Sequence, residues 1–186
     1  MKLTSAFLLT LDHQDVFDVI GWRLLFQNAR ALAADGMRCM YRAPNGKRCA
    51  IGWIIPDDLY SPEFEFKGVR DIAAGLAETD YGRDFAAFVG DHVAMLCDLQ
   101  GLHDAYPVSD WPLRLRLIAQ KYELRETVID RMSGSRPRYN PPAVIGPCGP
   151  VAPGCLLDLG MAAKLRQLPR AIVRPVEIVH ELELMS

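Results

Sequence analysis

The sequence has no G-x-S-x-G, no H-E-x-x-H, no P-loop and no dinucleotide fingerprint, so none of the chemistries tied to those local arrangements is indicated. Long apolar runs are missing too. None approaches the ~20 residues a membrane helix needs, so no membrane partner is expected. The first stretch, "MKLTSAFLLTLDHQD", carries one lysine, a short apolar segment and no small-residue cleavage site, so no signal peptide is expected. Charge of one sign is also scarce. With 21 Lys and Arg against 23 Asp and Glu the net charge is -2, which argues against a phosphate backbone as the main partner. Local basic spots such as Arg114, Arg116 and Lys121 are interspersed with acids, as on a solvated helix face. No internal repeat is present.

Zinc-type cysteine spacing is absent as well. The close pairs are Cys39-x9-Cys49 and Cys148-x6-Cys155, whereas a structural knuckle uses C-x2-4-C or its His equivalents. Five cysteines, an odd number without an export signal, predict free thiols in a reducing compartment, here a cytoplasm.

What is present is an ordinary globular composition over 186 residues, half hydrophobic and about a quarter charged. That suits one domain, or one domain with an extension. "LTSAFLLTL" alternates weakly and reads as a first strand or an irregular lead-in. From Asp15 to about Ala34 the period turns helical, with Phe17, Leu24, Leu25, Ala31 and Leu32 on one side and Asp15, Arg23, Gln27 and Arg30 on the other. Gly36 is placed to end that helix. A short helix is predicted at "GVRDIAAGLA". A stronger one has Phe85, Phe88, Val89, His92, Leu96 and Leu99 along a stripe, where His92 reads as a hydrogen-bonded core histidine. Asp110 then stands as an N-cap before the stripe Trp111, Leu115, Ile118 and Tyr122. From Ser133 to Gly154, ten of 22 residues are Pro or Gly, which predicts a linker or extended arm. Beyond it, Val176, Ile178, His180, Leu182 and Leu184 alternate with Glu177, Glu181 and Glu183, as in a half-buried terminal strand.

The stretch "CMYRAPNGKRCAIGWIIPDDLY", residues 39–60, is the most distinctive. Pro44 presets its own φ, Asn45 tolerates a turn and Gly46 accepts positive φ. A three-residue loop pairs Ala43 with Lys47. Counting outward sets Tyr41 against Cys49 and Cys39 against Ile51. Period 2 then puts Cys39, Tyr41, Cys49, Ile51 and Trp53 on an inner face and Met40, Arg42, Arg48, Ala50 and Gly52 on an outer one. The fold class expected is therefore α+β: a mainly helical unit around a β-hairpin at about 37–55. The core domain is expected at 1–125, with a Pro-rich extension, a short helix and a terminal strand over 126–186.

The same stretch resembles a family of small proteins of unknown activity encoded by tailed bacteriophages and prophages, with a signature like C-x-Y-R, a Gly turn, then K-x-C-A-[IV]-G-x-x-I-P-D and a tyrosine. The likeness extends over "VFDVIGWRLLFQNARAL", "LCDLQGLHD" and "DWPLRLRLIAQKYEL", roughly residues 15–124. Trp53 stands where a further cysteine would be expected. The resemblance implies a phage-type origin and no particular mechanism.

Three sets of residues are candidates. Arg42, Lys47 and Arg48 around the turn, with Asp57, Asp58 and Tyr60 after it, form a rim whose guanidinium groups suit carboxylate or phosphate. As a plain surface they would discourage edge-to-edge pairing. Gln100, His103 and Asp104 share a helix face and form a polar patch, against the plainer role of satisfying a helix end. Cys39 and Cys49, expected ~7–8 Å apart on one sheet face, read as core filling. A shared metal there would need distortion and further ligands such as His92 or His103. Cys97 is turned away from His103 by a spacing of six, so no catalytic residue, metal or cofactor is assigned. The expectation is a phage-type accessory protein that binds another protein, host or viral, in the host cytoplasm without catalysis. The rivals are a virion component that joins neighbours or a second copy through residues 133–186, and a metal- or thiol-dependent enzyme.

Overall fold

A computed structural model describes residues 3–133. Among them every regular element is helical: α1 (Ser5–Leu8), α2 (His13–Gln27), α3 (Val69–Ala77), α4 (Arg83–Ala105), α5 (Trp111–Lys121) and α6 (Thr127–Ser133), with 3-10 turns at Pro62–Phe64 and Val108–Asp110. The predicted Pro/Gly-rich arm and terminal strand lie outside the described residues. No helix among those described is long and apolar enough to cross a membrane.

Asp12 opens α2 with a capping box: its side chain accepts from Asp15 N–H, and the Asp15 carboxylate accepts from Asp12 N–H. The helix is buried from Asp15 through Trp22, the two acids Asp15 and Asp18 included. It packs against α4, α5 and α6. The sequence predicts its end near Ala34, but it stops at Gln27. Asn28 takes the left-handed conformation (φ 46°) and donates to Leu24 O, one of the few non-glycine types that does so readily. Gly36, also at positive φ, closes a separate tight turn onto Ala33 O instead.

α4 packs against α1, α2, α3 and α5. The apolar stripe expected along it is buried, and Met95, Leu102 and His103 join it. α3 contributes Val69, Ile72, Ala73 and Leu76 to the same core. Fully burying a Phe or Leu side chain is worth about 1.5–3 kcal/mol, so Phe85, Phe88, Leu96 and Leu99 make α4 the main contributor. On α5, Trp111, Leu115 and Ile118 are buried as expected. Asp110 occupies the N-cap position, but its side chain makes no capping bond and accepts from Ser109 Oγ.

The predicted β-hairpin is not formed, and the described part of the fold is helical rather than α+β. The turn itself is present. Gly46 sits at φ 81° and donates to Ala43 O, Ala43 N–H reaches Lys47 O at 2.8 Å, and Cys49 N–H reaches Tyr41 O at 3.2 Å. Only isolated bridges result, at Arg42–Arg48 and at Leu32–Cys39. Three causes cut the ladder short. The Glu65 carboxylate accepts from the backbone N–H of both Tyr41 and Arg42, at 2.8 and 3.0 Å. The first arm pairs backwards, Met40 N–H to Ala31 O and Ala33 N–H to Arg38 O. Beyond Cys49 the chain coils, with Trp53 donating to Cys49 O and Ile54 and Ile55 to Ile51 O. Ala50, Ile51, Gly52, Ile54 and Ile55 are all buried. Five buried positions out of the six after Cys49 suit a coil sunk in the core and contradict a strand with a polar side.

Residues 3–11, expected as a first strand or an irregular lead-in, instead hold the short helix α1, capped by Thr4, which accepts from Phe7 N–H. α6 sets Val128 and Ile129 into the interior. Arg116 of α5 reaches Glu126, and at 2.7 Å Asp130, tying α5 to the last described helix.

Candidate functional site

Two groups of candidate residues meet the irregular connection between α2 and Pro62, one at Arg42, Arg48 and Trp53 and the other at Ala31, Cys39 and Ile51. The first is a ladder of arginines and aromatic rings. Phe26 stacks on Trp22 with centroids 5.1 Å apart and planes within 12°. Arg23 lies 4.9 Å from the Trp22 ring and 4.8 Å from Trp53, and Arg48 lies 5.3 Å from Trp53. Arg48 and Arg42 share one carboxylate oxygen of Asp57, at 3.2 and 2.9 Å. Arg42 then sits 4.1 Å over the Tyr60 ring. Stacking of this kind holds guanidinium planes in fixed orientations.

Local structure explains the positions. Gln27, buried at the end of α2, accepts from Arg48 N–H at 2.8 Å and donates to Arg48 O at 2.9 Å, acting as a strand partner for one residue. Lys47 Nζ reaches Gln27 O at 3.3 Å. Arg42 is more deeply set than its expected outward position. Its side chain is 16% exposed, and it donates to Ile55 O at 2.7 Å. Tyr60 donates to Glu65, the same carboxylate that holds Tyr41 and Arg42. Asp58 is exposed and takes no part in the ladder. Arg23 has no acidic partner among the described residues. Burial, and after it the charge of Arg48, hold Arg23 below the usual guanidinium range. Arg42 is lowered by the same two causes, partly offset by Asp57.

The second group joins residues distant in sequence. His103 is fully buried. Its Nε2 lies 2.9 Å from Ala31 N, and its Nδ1 lies 2.8 Å from Asp104 Oδ1. A backbone N–H can only donate, so Nε2 is the acceptor and Nδ1 carries the proton, an assignment that follows from the partner rather than from a visible hydrogen. Gln100 donates to both Asp104 oxygens at 2.9 Å and accepts from Ile51 N–H. Arg30 donates to His103 O, Asp104 O and Cys39 Sγ, so a cation caps the carbonyl end of α4. Thus Gln100, His103 and Asp104 do come together, and the cysteine beside them is Cys39, not Cys97. The sulfur, ring nitrogen and carboxylate oxygen of Cys39, His103 and Asp104 lie within 4.8 Å of one another.

That cluster suits protons better than a cation or a nucleophile. Burial first, and then the Asp104 charge, push the Cys39 thiol up to about 11, and burial pushes the Cys49 thiol up as well. Burial acts to raise Asp104, but hydrogen bonds from His103, Gln100 and Cys39 outweigh it and hold the carboxylate below its ordinary range. A metal ligated through Nδ1 would leave the imidazole proton on Nε2, donor facing donor at Ala31. Arg30, 3.4 Å from Cys39 Sγ, adds positive charge where a cation would sit. A general base needs a free lone pair, and His103 spends its own on Ala31. Cys49 is buried and accepts from Gly52 N–H at 3.3 Å. The residues tie α4 to the segments at 30–31 and 39, which is a scaffold role.

Sequence patterns did not single out Trp22, Phe26, Glu65 or the central place of Arg23 and Trp53. The one available signal was the "R-C-A-I-G-W" run, which puts Arg48 and Trp53 five residues apart. His92, expected in the core, is buried against the His13 and Phe88 rings, and its Nδ1 has no partner among the described residues. Compared with protein-family models, curated proteins and solved structures, the chain matches none.

Proposed function

We propose that the protein works by binding another protein, host or viral, in the manner of a phage-type accessory factor in the host cytoplasm, and performs no chemistry of its own. The carrying observation is the arginine–aromatic ladder: Arg42 and Arg48 share the carboxylate of Asp57, and Arg23 stacks on Trp22 and Trp53 with no carboxylate of its own among the described residues, beside Phe26 and Tyr60. Arginine and aromatic side chains are the types enriched where protein interfaces concentrate their energy. Phe26, 57% exposed at one end of the ladder, adds an apolar anchor. Support for the phage-type origin is the signature carried by residues 39–60. The enzyme alternative would draw on Cys39, His103 and Asp104, where the donor pattern opposes it. The virion alternative draws on residues 133–186, nearly all outside the described part.

Affinity capture with the full chain, followed by titration of the purified partner, tests the reading. Expected is a saturable one-to-one complex and no turnover. Substrate turnover lost on a single-residue change would refute it, as would the lack of any partner that binds in purified form. Mass spectrometry of purified virions decides the assembly alternative: copies of the chain in the particle favour it.

A further inference from the structure

The ladder carries more positive charge than its described neighbours balance. Arg42 is committed, with Nη1 on Asp57 and Nη2 on Ile55 O. Arg48 uses one nitrogen on Asp57 and keeps the rest of its five N–H donors. Arg23 pairs with no carboxylate among the described residues, although it is half-buried beside Arg48. Two guanidinium groups at one indole repel each other, and a half-buried charge without a counter-ion is costly. An anion placed between them relieves both terms. The ladder also ends in an apolar step at Phe26.

We propose that this face recognises an acidic segment of a partner protein, with carboxylates on Arg23 and Arg48 around the Trp53 indole and an apolar side chain on Phe26. The inference rests on the binding reading above and names the partner's chemistry. A carboxylate matches the guanidinium fork in bidentate geometry. Single-stranded nucleic acid fits less well, because binding it uses aromatic faces for base stacking. Here Trp22 already carries Phe26 and Arg23, and Trp53 carries Arg23 and Arg48.

The test is an NMR titration of the 15N-labelled full chain, read at the arginine Nε–H and tryptophan indole signals. The probe is a short capped peptide rich in Asp and Glu with one leucine. Comparators are its Asn/Gln counterpart, oligo-dT, inorganic phosphate and a peptide of this chain's own residues 176–184. Expected are shifts at Trp53, Arg23 and Arg48 with the acidic probe and none with the neutral one. Affinity should fall about tenfold or more in Arg23→Gln/Arg48→Gln. Should that variant lose its folded spectrum, Arg23→Lys/Arg48→Lys decides: charge is kept and the fork lost, so affinity drops by a smaller factor, and an unchanged affinity overturns the inference. Unmoved signals at millimolar probe overturn it, as does tighter binding of oligo-dT, of phosphate or of the chain's own peptide. A captured partner whose binding ignores both arginines refutes this inference and leaves the binding reading standing. Probe binding through both arginines, with no protein partner found, refutes the binding reading and, with it, this inference.

Discussion

Replacing Gly52 with alanine probes the point where the expected hairpin gives way to the buried coil. A Cβ at position 52 would lie 1.8 Å from Tyr41 O, 2.7 Å from Tyr41 C and 3.2 Å from Tyr41 Cα. All three are backbone atoms, and Tyr41 has little freedom to retreat. Its N–H is held by Glu65, its hydroxyl by Lys67 O at 2.5 Å, and its carbonyl by Cys49 N–H. Overpacking alone costs about 1–3 kcal/mol, and losing one or two of these bonds adds about 1–3 kcal/mol. The expected cost is ~3–5 kcal/mol, a large share of the 5–15 kcal/mol typical of a domain. Gly46→Ala is the control. Gly46 sits at φ 81° with no atom within 4 Å of an added Cβ, so only backbone strain of about 1–2 kcal/mol applies. Urea unfolding of both full-length variants by circular dichroism, with the m-value checked for constancy, measures the difference. A Gly52→Ala cost under ~1 kcal/mol, or below that of Gly46→Ala, would refute the close-approach argument.

Three further outcomes follow from buried groups. His103→Ala removes an acceptor from Ala31 N–H and a ring packed 5.6 Å from Trp111, and should cost ~3–5 kcal/mol in the same assay; long-range 15N–1H NMR of the native chain should find Nδ1 protonated and Nε2 bare. Burial raises Asp18 from 3.8 to about 6, so the folded state binds its proton more tightly than the unfolded state does. This group's contribution is therefore favourable at low pH and is lost as pH climbs from about 4 to 6, by roughly 3 kcal/mol. Asp18→Asn should flatten that part of the stability–pH curve and raise stability at pH 7, which thermal melts across the range will read. With its thiol at about 11, Cys39 should alkylate at pH 8 about a hundredfold more slowly than an unperturbed thiol, followed by mass spectrometry of the Cys39 peptide; brisk labelling without denaturant would contradict the scaffold role.

Helix positions were legible wherever one face meets the core and the other meets water. The stripes on α4 and α5 met that condition, and Phe85 through Leu99 and Trp111 through Ile118 could be placed by period alone. α2 did not, because it is buried nearly all round and even its acids lie inside; only Asn28, whose backbone turns left-handed, marks its end. In the 39–60 stretch the Pro-Asn-Gly turn and the Ala43–Lys47 pairing were readable from turn chemistry. The ladder beyond was not. Alternation cannot register that Glu65, more than twenty residues on, takes the N–H groups of Tyr41 and Arg42, or that Ala50 and Gly52 turn inward with Ile51. The rim residues Arg42, Lys47, Arg48, Asp57 and Tyr60 are close in sequence and could be grouped. Arg23, Trp22 and Phe26 reach the same face from α2, and Cys39 meets His103 across the core. Such meetings are set by helix packing and leave no local trace.

The central claim is that function resides on the arginine–aromatic face and that the thiol–imidazole cluster is scaffold. Measuring the affinity of the purified partner for Arg23→Gln/Arg48→Gln and for Cys39→Ser, each in the full chain and each shown to be folded, sets the two against each other. The account predicts a loss of about tenfold or more for the arginine pair and an unchanged affinity for the cysteine variant. Loss of binding with the serine substitution and retention with the glutamines would contradict it.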